Sequence, residues 1–593
     1  MQQATLLKSE PTQGSSKKNG STWSERAPFL ALAAYWLVCL LFIGVSGNFP
    51  INDDWIYAES VEHLLKTGQL RLLACAPACI VHVITAAAAC KIFGFSHVLL
   101  RAVGLAWAVL GSYALYGCCR QLRASQAVSL LLTFCFAANP LYLCLAFSFM
   151  TDMPAIALTI CYTYFLLDGL RKGRASSFIY SALCLIAATL VRQNVGLLGI
   201  INALILLSFW LKRKHSWTML GGLVIAPLAA GYLADKWMIA SNDFISLYLW
   251  YKGMVAKQVS SMVHAPAGVL PTLFQISGEL LAYMGLFLLP ALLCFVPRFV
   301  ASLLGKGKLN PGGMVTSATL MTFSLSKFIV AEGRWMPFSQ NLLRLPELGA
   351  HTILGINLPS LSLKLRQSLT WSSGVLGFMT AALLIESASR TLVNFWRAMK
   401  SASAGRLKRA MISLSALSIF AFFFAFTALQ STFSDIDRYY LFPLFGAILC
   451  TALLWRWLRV KVVPAVVLPA LLIIAGYSIA ATQDLMAWNR ARWAGIEKLE
   501  AQGVDFKKID GGAEYNYARD PQLFKNLILH DTWYEFTHRG ESPRDQWRWW
   551  TVSGEDYIVS FSPVPNYDVI DRQRYWSALS GNREIFVLKR LAK

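Results

Sequence analysis

Apolar residues fill long blocks of this chain, and the polar positions collect in short stretches between them. A helix crosses a bilayer with roughly 20 mostly apolar residues. Windows of that kind predict about 13 spans, near 28–47, 97–117, 126–145, 154–170, 176–191, 194–210, 217–240, 272–296, 314–330, 371–389, 410–430, 440–457 and 462–482. A shorter apolar stretch at 78–93, ACIVHVITAAAACKIF, reads as an interfacial or re-entrant helix. Past 482 the pattern changes. The chain becomes polar and rich in Trp and Tyr; ARWAGIEKLEAQG has helical spacing with Gly503 as its stop, and DYIVSF and REIFVLK read as strands. The expected fold class is an α-helical polytopic membrane protein with a small C-terminal α/β domain. Its parts are a leader over 1–26, a transmembrane domain over 27–482 with a first outer loop at 48–96, and a soluble domain over 483–593.

Composition agrees with a membrane protein: 56% of the 593 residues are hydrophobic and 15% are charged. The formal charge of +22 would suit nucleic acid, but the Lys and Arg sit in short clusters between apolar runs. CCRQLR, RKGR, LKRK, RAMKSASAGRLKR and RWLRVK alternate with acidic loops, which is the signature of membrane topology and argues against nucleic acid. Positive clusters stay cytoplasmic, so the leader is cytoplasmic and NDDW, FMTDMP, VRQN and STFSDIDRYY face the other side, with the C-terminal segment. The first span, after QGSSKKNGSTWSER, reads as a retained signal anchor. Most of the 12 Cys lie in apolar runs and act as small hydrophobes; Cys75 and Cys79, outside the spans, are spaced to pair in an oxidising compartment.

The stretch FPINDDWIYAESVEHLLKTGQL places Asp53 and Asp54 just where the chain leaves its first span. Tyr57, Ala58, Val61, Leu64 and Leu65 recur at helical spacing opposite Glu59, Glu62, His63 and Lys66, so a surface helix follows. Capping that helix accounts for one carboxylate, and the second asks for more. Asp152, ahead of Pro154, also suits a helix start. Asp435, Asp437 and Arg438 precede a later span, and Arg192 stands at the outer end of another. Ionisable groups that gather at the ends of otherwise uncharged spans mark a site. A carboxylate base there can take a proton from an acceptor hydroxyl, and arginines can hold a phosphate as a leaving group. Those parts suit sugar transfer from a lipid phosphate. A transporter or flippase for a lipid-linked or amphipathic solute is the alternative, although the sequence shows no internal repeat.

DDWIYAE, from Asp53 to Glu59, resembles the Asp-Glu-x-x-Tyr-Ala-Glu of GT-C membrane glycosyltransferases of the family 39 type, with Asp54 in place of Glu. These are the bacterial relatives of protein O-mannosyltransferases and lipid A aminoarabinose transferases. KIFGFSHVLLRAVGLAWAVLGSYALY, NPLYLCLAFSFMTDMPAIAL and DRYYLFPLF resemble the elements that follow, in order, and the resemblance extends over roughly 27–520. It implies a GT-C fold in a bacterial cytoplasmic membrane, a polyprenyl-phosphate sugar donor of the hexosyl or pentosyl kind, and a lipid, glycan or protein acceptor. It implies Asp53 or Asp54 as catalytic base, Asp152 as second acid and Arg438 as a contact for the lipid phosphate; Arg192 joins them on topology alone. The family's Lys-Pro-Pro is missing, since CAPACIVHV keeps only Pro77. The motifs require no cofactor and predict no metal; a divalent ion, if used, would fall to Asp53, Asp54 and His82.

Overall fold

The computed structural model describes residues 22–72, 77–203, 221–241, 245–307, 309–339, 341–349, 351–355, 360–401, 403–432, 436–529 and 550–591. Among them ten helices are long and apolar enough to cross a membrane. The count is eleven if α5 (Gln126–Ala137) and α6 (Pro140–Ala146), bent by 67° at their break, form one span. The break has a local cause: Asn139 caps α6 through its side chain, and Pro140 at the first turn cannot continue the α5 ladder. The run predicted at 176–191 is the 15-residue helix α8 (Ala175–Thr189), shorter than the ten spans. The later part of the run at 194–210, from 204 on, lies outside the described residues, as do Cys75 and Asp435.

Five further helices carry or flank the acidic loops. α1 (Thr22–Ile43) leads into α2 (Asp54–Thr67), the surface helix read from the sequence, which ends on Gly68 in the left-handed conformation. The first turn of α2 is buried throughout, deeper than an interfacial helix requires, because Trp55 packs against Tyr517 and Phe524 of the C-terminal part. α3 (Ile80–Phe93) is the predicted short apolar helix, and α4 (His97–Gln121) and α7 (Asp152–Lys172) pack side by side through the bundle. Gly104 of α4 lets the turn ahead of α7 come close: a Cβ there would stand 2.2 Å from the Ser148 carbonyl oxygen.

The helix Pro464–Ala501 runs without interruption from the bundle into the C-terminal part, past the change of composition at 482. Gly503, at φ +80°, follows its end, as the spacing predicts. A four-stranded sheet packs against it chiefly through β3 and β4: β1 (Ile509–Asp510), β2 (Tyr557–Ser560), β3 (Tyr567–Ser577) and β4 (Gly581–Arg590), in the order β1-β2-β4-β3. β1 and β2 are parallel and the remaining pairs antiparallel. Gln483 pins the β3–β4 hairpin to the helix, donating to the Trp576 carbonyl at 3.0 Å and accepting from the Ala578 amide at 2.9 Å.

Candidate active site

The loop between α1 and α2 is held from two directions. From α4, the buried Arg101 donates to the carbonyls of Val45 at 2.6 Å, Gly47 at 3.2 Å and Phe49 at 2.9 Å. From the C-terminal part, Glu514 accepts from the Asn52 amide at 3.0 Å while its other oxygen pairs with Arg492 at 2.8 Å. Asn52 itself turns the chain at φ +55°. Together these bonds fix the direction in which Asp53 leaves the loop. Behind the loop, Ile51, Asn52, Ser148 and Leu342 line a cavity of about 20 Å³, room for about one water.

Asp53 occupies the cap position of α2 and makes no capping bond. Its carboxylate instead accepts two hydrogen bonds from Arg438, both at 3.2 Å. Its side chain keeps 39% exposure, so another molecule can reach it. Asp54 is buried, and its carboxylate accepts from the Ile51 amide at 3.4 Å. Burial pushes its carboxyl up to about 7, against the opposing pull of the Phe149 amide, the Arg101 guanidinium and the Ile51 amide.

Asp152 opens α7, where Thr151 takes the cap position without a side-chain bond. Capping therefore explains neither carboxylate. Asp152 is 1% exposed; one of its oxygens lies 2.9 Å from Arg192 Nη2 and 3.9 Å from Arg438 Nε. Neither oxygen has an aligned hydrogen bond among the described residues. Arg192 also donates to the Thr151 hydroxyl, from Nε at 3.3 Å and Nη2 at 3.1 Å. The Tyr439 ring lies 5.1 Å from the Arg192 guanidinium carbon and 5.6 Å from that of Arg438. The outcome is a continuous run Asp53–Arg438–Asp152–Arg192, two anions alternating with two cations, drawn from four distant segments.

The other sequence candidates separate from this run. Asp437 is fully buried and accepts from the amides of Leu342, at 3.0 Å, and Leu343, at 2.7 Å, so it latches the 341–349 segment. His82 faces the Phe149 carbonyl at 3.0 Å and stacks on the Phe149 ring at 4.0 Å between centroids. Among the described residues no three of His, Cys, Asp and Glu gather as metal ligands, and Asp53, Asp54 and His82 do not form such a set. Sequence reasoning missed Thr151, Tyr439, Arg101 and Glu514. A charge inside an apolar run signals Arg101; nothing local signals Glu514, which lies 462 residues from Asn52.

Residues 78–233 match the protein family described as dolichyl-phosphate-mannose-protein mannosyltransferase. No curated protein matches the chain. Among solved structures, ArnT from Cupriavidus metallidurans in the apo state is 14% identical at a TM-score of 0.38, over 95% of this chain and 98% of that one. AglB from Archaeoglobus fulgidus, in complex with an inhibitory peptide and a dolichol-phosphate, is 15% identical at a TM-score of 0.40. That match covers 82% of this chain and 60% of AglB. The Pmt1-Pmt2 complex of S. cerevisiae, bound to the sugar donor, is 13% identical at a TM-score of 0.28, over 38% of this chain and 33% of that one. The matched family segment, about a quarter of the chain, contains Asp152 and Arg192, and over it the chain is similar to these mannosyltransferases.

Proposed function

We propose that the protein transfers a sugar from a polyprenyl-phosphate donor to an acceptor hydroxyl at the extracytoplasmic membrane face, with Asp53 as base. The observation that carries this reading is Arg438, shared between Asp53 at 3.2 Å and Asp152 at 3.9 Å. A guanidinium held between two carboxylates is desolvated and oriented before a ligand arrives, and a phosphate can take over its hydrogen bonds. The family description supports the donor class, since it names a dolichyl-phosphate-linked sugar.

In the proposed step the acceptor oxygen attacks the anomeric carbon and its proton passes to Asp53. The bond from that carbon to the phosphate oxygen breaks, and the polyprenyl phosphate leaves with the electron pair. Arg438 and Arg192 stabilise the charge that grows on the leaving oxygen. Asp152 orients both guanidiniums, and Asp54 holds the loop in place through the Ile51 amide. A single displacement inverts the anomeric centre.

The test is to incubate purified protein with a labelled polyprenyl-phosphate sugar and follow release of polyprenyl phosphate. Release that depends on Asp53 and gives an inverted product supports the reading. Normal turnover by a folded Asp53→Asn variant, or a retained anomeric configuration in the product, rejects it.

A further inference from the structure

α7 begins at Asp152 and ends at Lys172, a rise of roughly 31 Å at 1.5 Å per residue. The helix Leu441–Leu458 likewise starts beside Arg438 and ends at the far side of the bundle. Where these two helices finish, a cleft of about 210 Å³ opens. Five cations line it: Arg123, Arg171, Lys408, Arg409 and Arg456. They come from the turn after α4, the end of α7, the start of the helix Ala404–Ser431 and the end of the helix Leu441–Leu458.

No carboxylate lines this cleft. Among the described residues none of the five cations forms an ion pair with an Asp or Glu. The nearby Asp168 is committed elsewhere: it pairs with Lys172 at 2.5 Å and accepts from Gln121 at 2.8 Å and Ser177 at 2.7 Å. Membrane topology accounts for cations in each loop separately, since orientation is set by their number on one side. It gives no reason for four clusters to converge on one hollow, where like charges repel. An anion in the hollow removes that cost. The wall is mixed, with Ile412 and Leu453 beside the cations, so an apolar chain has a surface to follow.

We propose that this cleft binds a phosphate-bearing anion, the head group of an anionic lipid in the leaflet opposite the candidate active site. Basic hollows between transmembrane helices hold such head groups through several charge-assisted contacts at once.

Thermal unfolding of the purified full-length protein in detergent, at fixed ionic strength, tests it. The probes are dioctanoyl-phosphatidylglycerol, dioctanoyl-phosphatidylcholine and sodium diphosphate. The expected result is a saturable rise in Tm with the phosphatidylglycerol and none with the phosphatidylcholine. In Arg171→Gln/Arg456→Gln the half-saturating concentration rises roughly 30-fold. Arg438→Gln keeps the wild-type concentration, which separates this cleft from the candidate active site. Lys408→Gln/Arg409→Gln, on another helix, supplies the same comparison if the first variant does not fold. An equal rise with sodium diphosphate supports the phosphate chemistry and assigns it to a soluble anion. An equal rise with the phosphatidylcholine, an unchanged half-saturation in the cleft variants, or a rise lost only in Arg438→Gln overturns the proposal.

Discussion

The two ends of α7 hold their positive charges in opposite circumstances. At the Asp152 end, Arg438 is buried and Arg192 largely so, and both are balanced by Asp152 and Asp53. At the Lys172 end, five cations surround a cleft that has no carboxylate in its lining. The first arrangement spends desolvation in advance and fixes the guanidiniums in one geometry, which suits a reaction that must orient a leaving group. The second leaves its charges hydrated and separate, which suits retention of an anion by number of contacts. A count of Lys and Arg does not distinguish these ends; the partners of each side chain do.

The largest expected effect removes the accessible anion of the balanced end. Asp53→Asn should lower turnover by about 10²–10⁴-fold, the range for loss of a general base, as read by polyprenyl phosphate release. Next comes the shared cation. Arg438→Gln leaves the buried Asp152 with less compensation and should cost on the order of 3–5 kcal/mol of stability, seen as a fall in Tm. Arg438→Lys keeps the charge without the planar fork and should recover more of the Tm than of the turnover.

A smaller effect concerns Asp54. Its carboxyl sits near 7 in the folded protein and near 3.8 when unfolded, so the folded state holds a proton that the unfolded state has released. The stability this provides is complete below 3.8 and drains away as pH climbs through 7. Tm should therefore fall across that window, and Asp54→Asn should flatten this part of the profile. The smallest effect is expected at the exposed pair Lys498–Asp571, at 3.0 Å, where Lys498→Gln should change stability by only about 0.2–1 kcal/mol and leave turnover unchanged.

Several elements are legible in the sequence alone. The helix after Asp53, the helix stop at Gly503 and the strands around Ile558 and Phe586 all rest on patterns within a few residues and are all present, although the first turns of that helix are buried instead of lying on a surface. Asp53, Asp152, Arg192 and Arg438 were also readable as charges at the ends of apolar runs. Their roles were less so. Asp437, one residue from Arg438, shares the residue type and the loop, yet it holds the backbone of Leu342 and Leu343 and stays out of the ionic run. The predicted span at 176–191 shortens to 15 residues because the chain leaves the helix at Leu190, two residues before Arg192 turns towards Asp152.

Hydropathy and periodicity, which act between near neighbours, were enough to specify a polytopic helical protein, its charge alternation and its C-terminal strands. Pairings across the chain were beyond their reach. Arg438 meets Asp53 over 385 residues of separation, and Glu514 reaches Asn52 over 462. Such contacts depend on how whole helices pack and on which end each presents, and no window of sequence contains that information. The gathering of four basic clusters into one cleft has the same origin: each cluster sets only the side on which its loop lies, while the packing of α4, α7 and their neighbours brings them together.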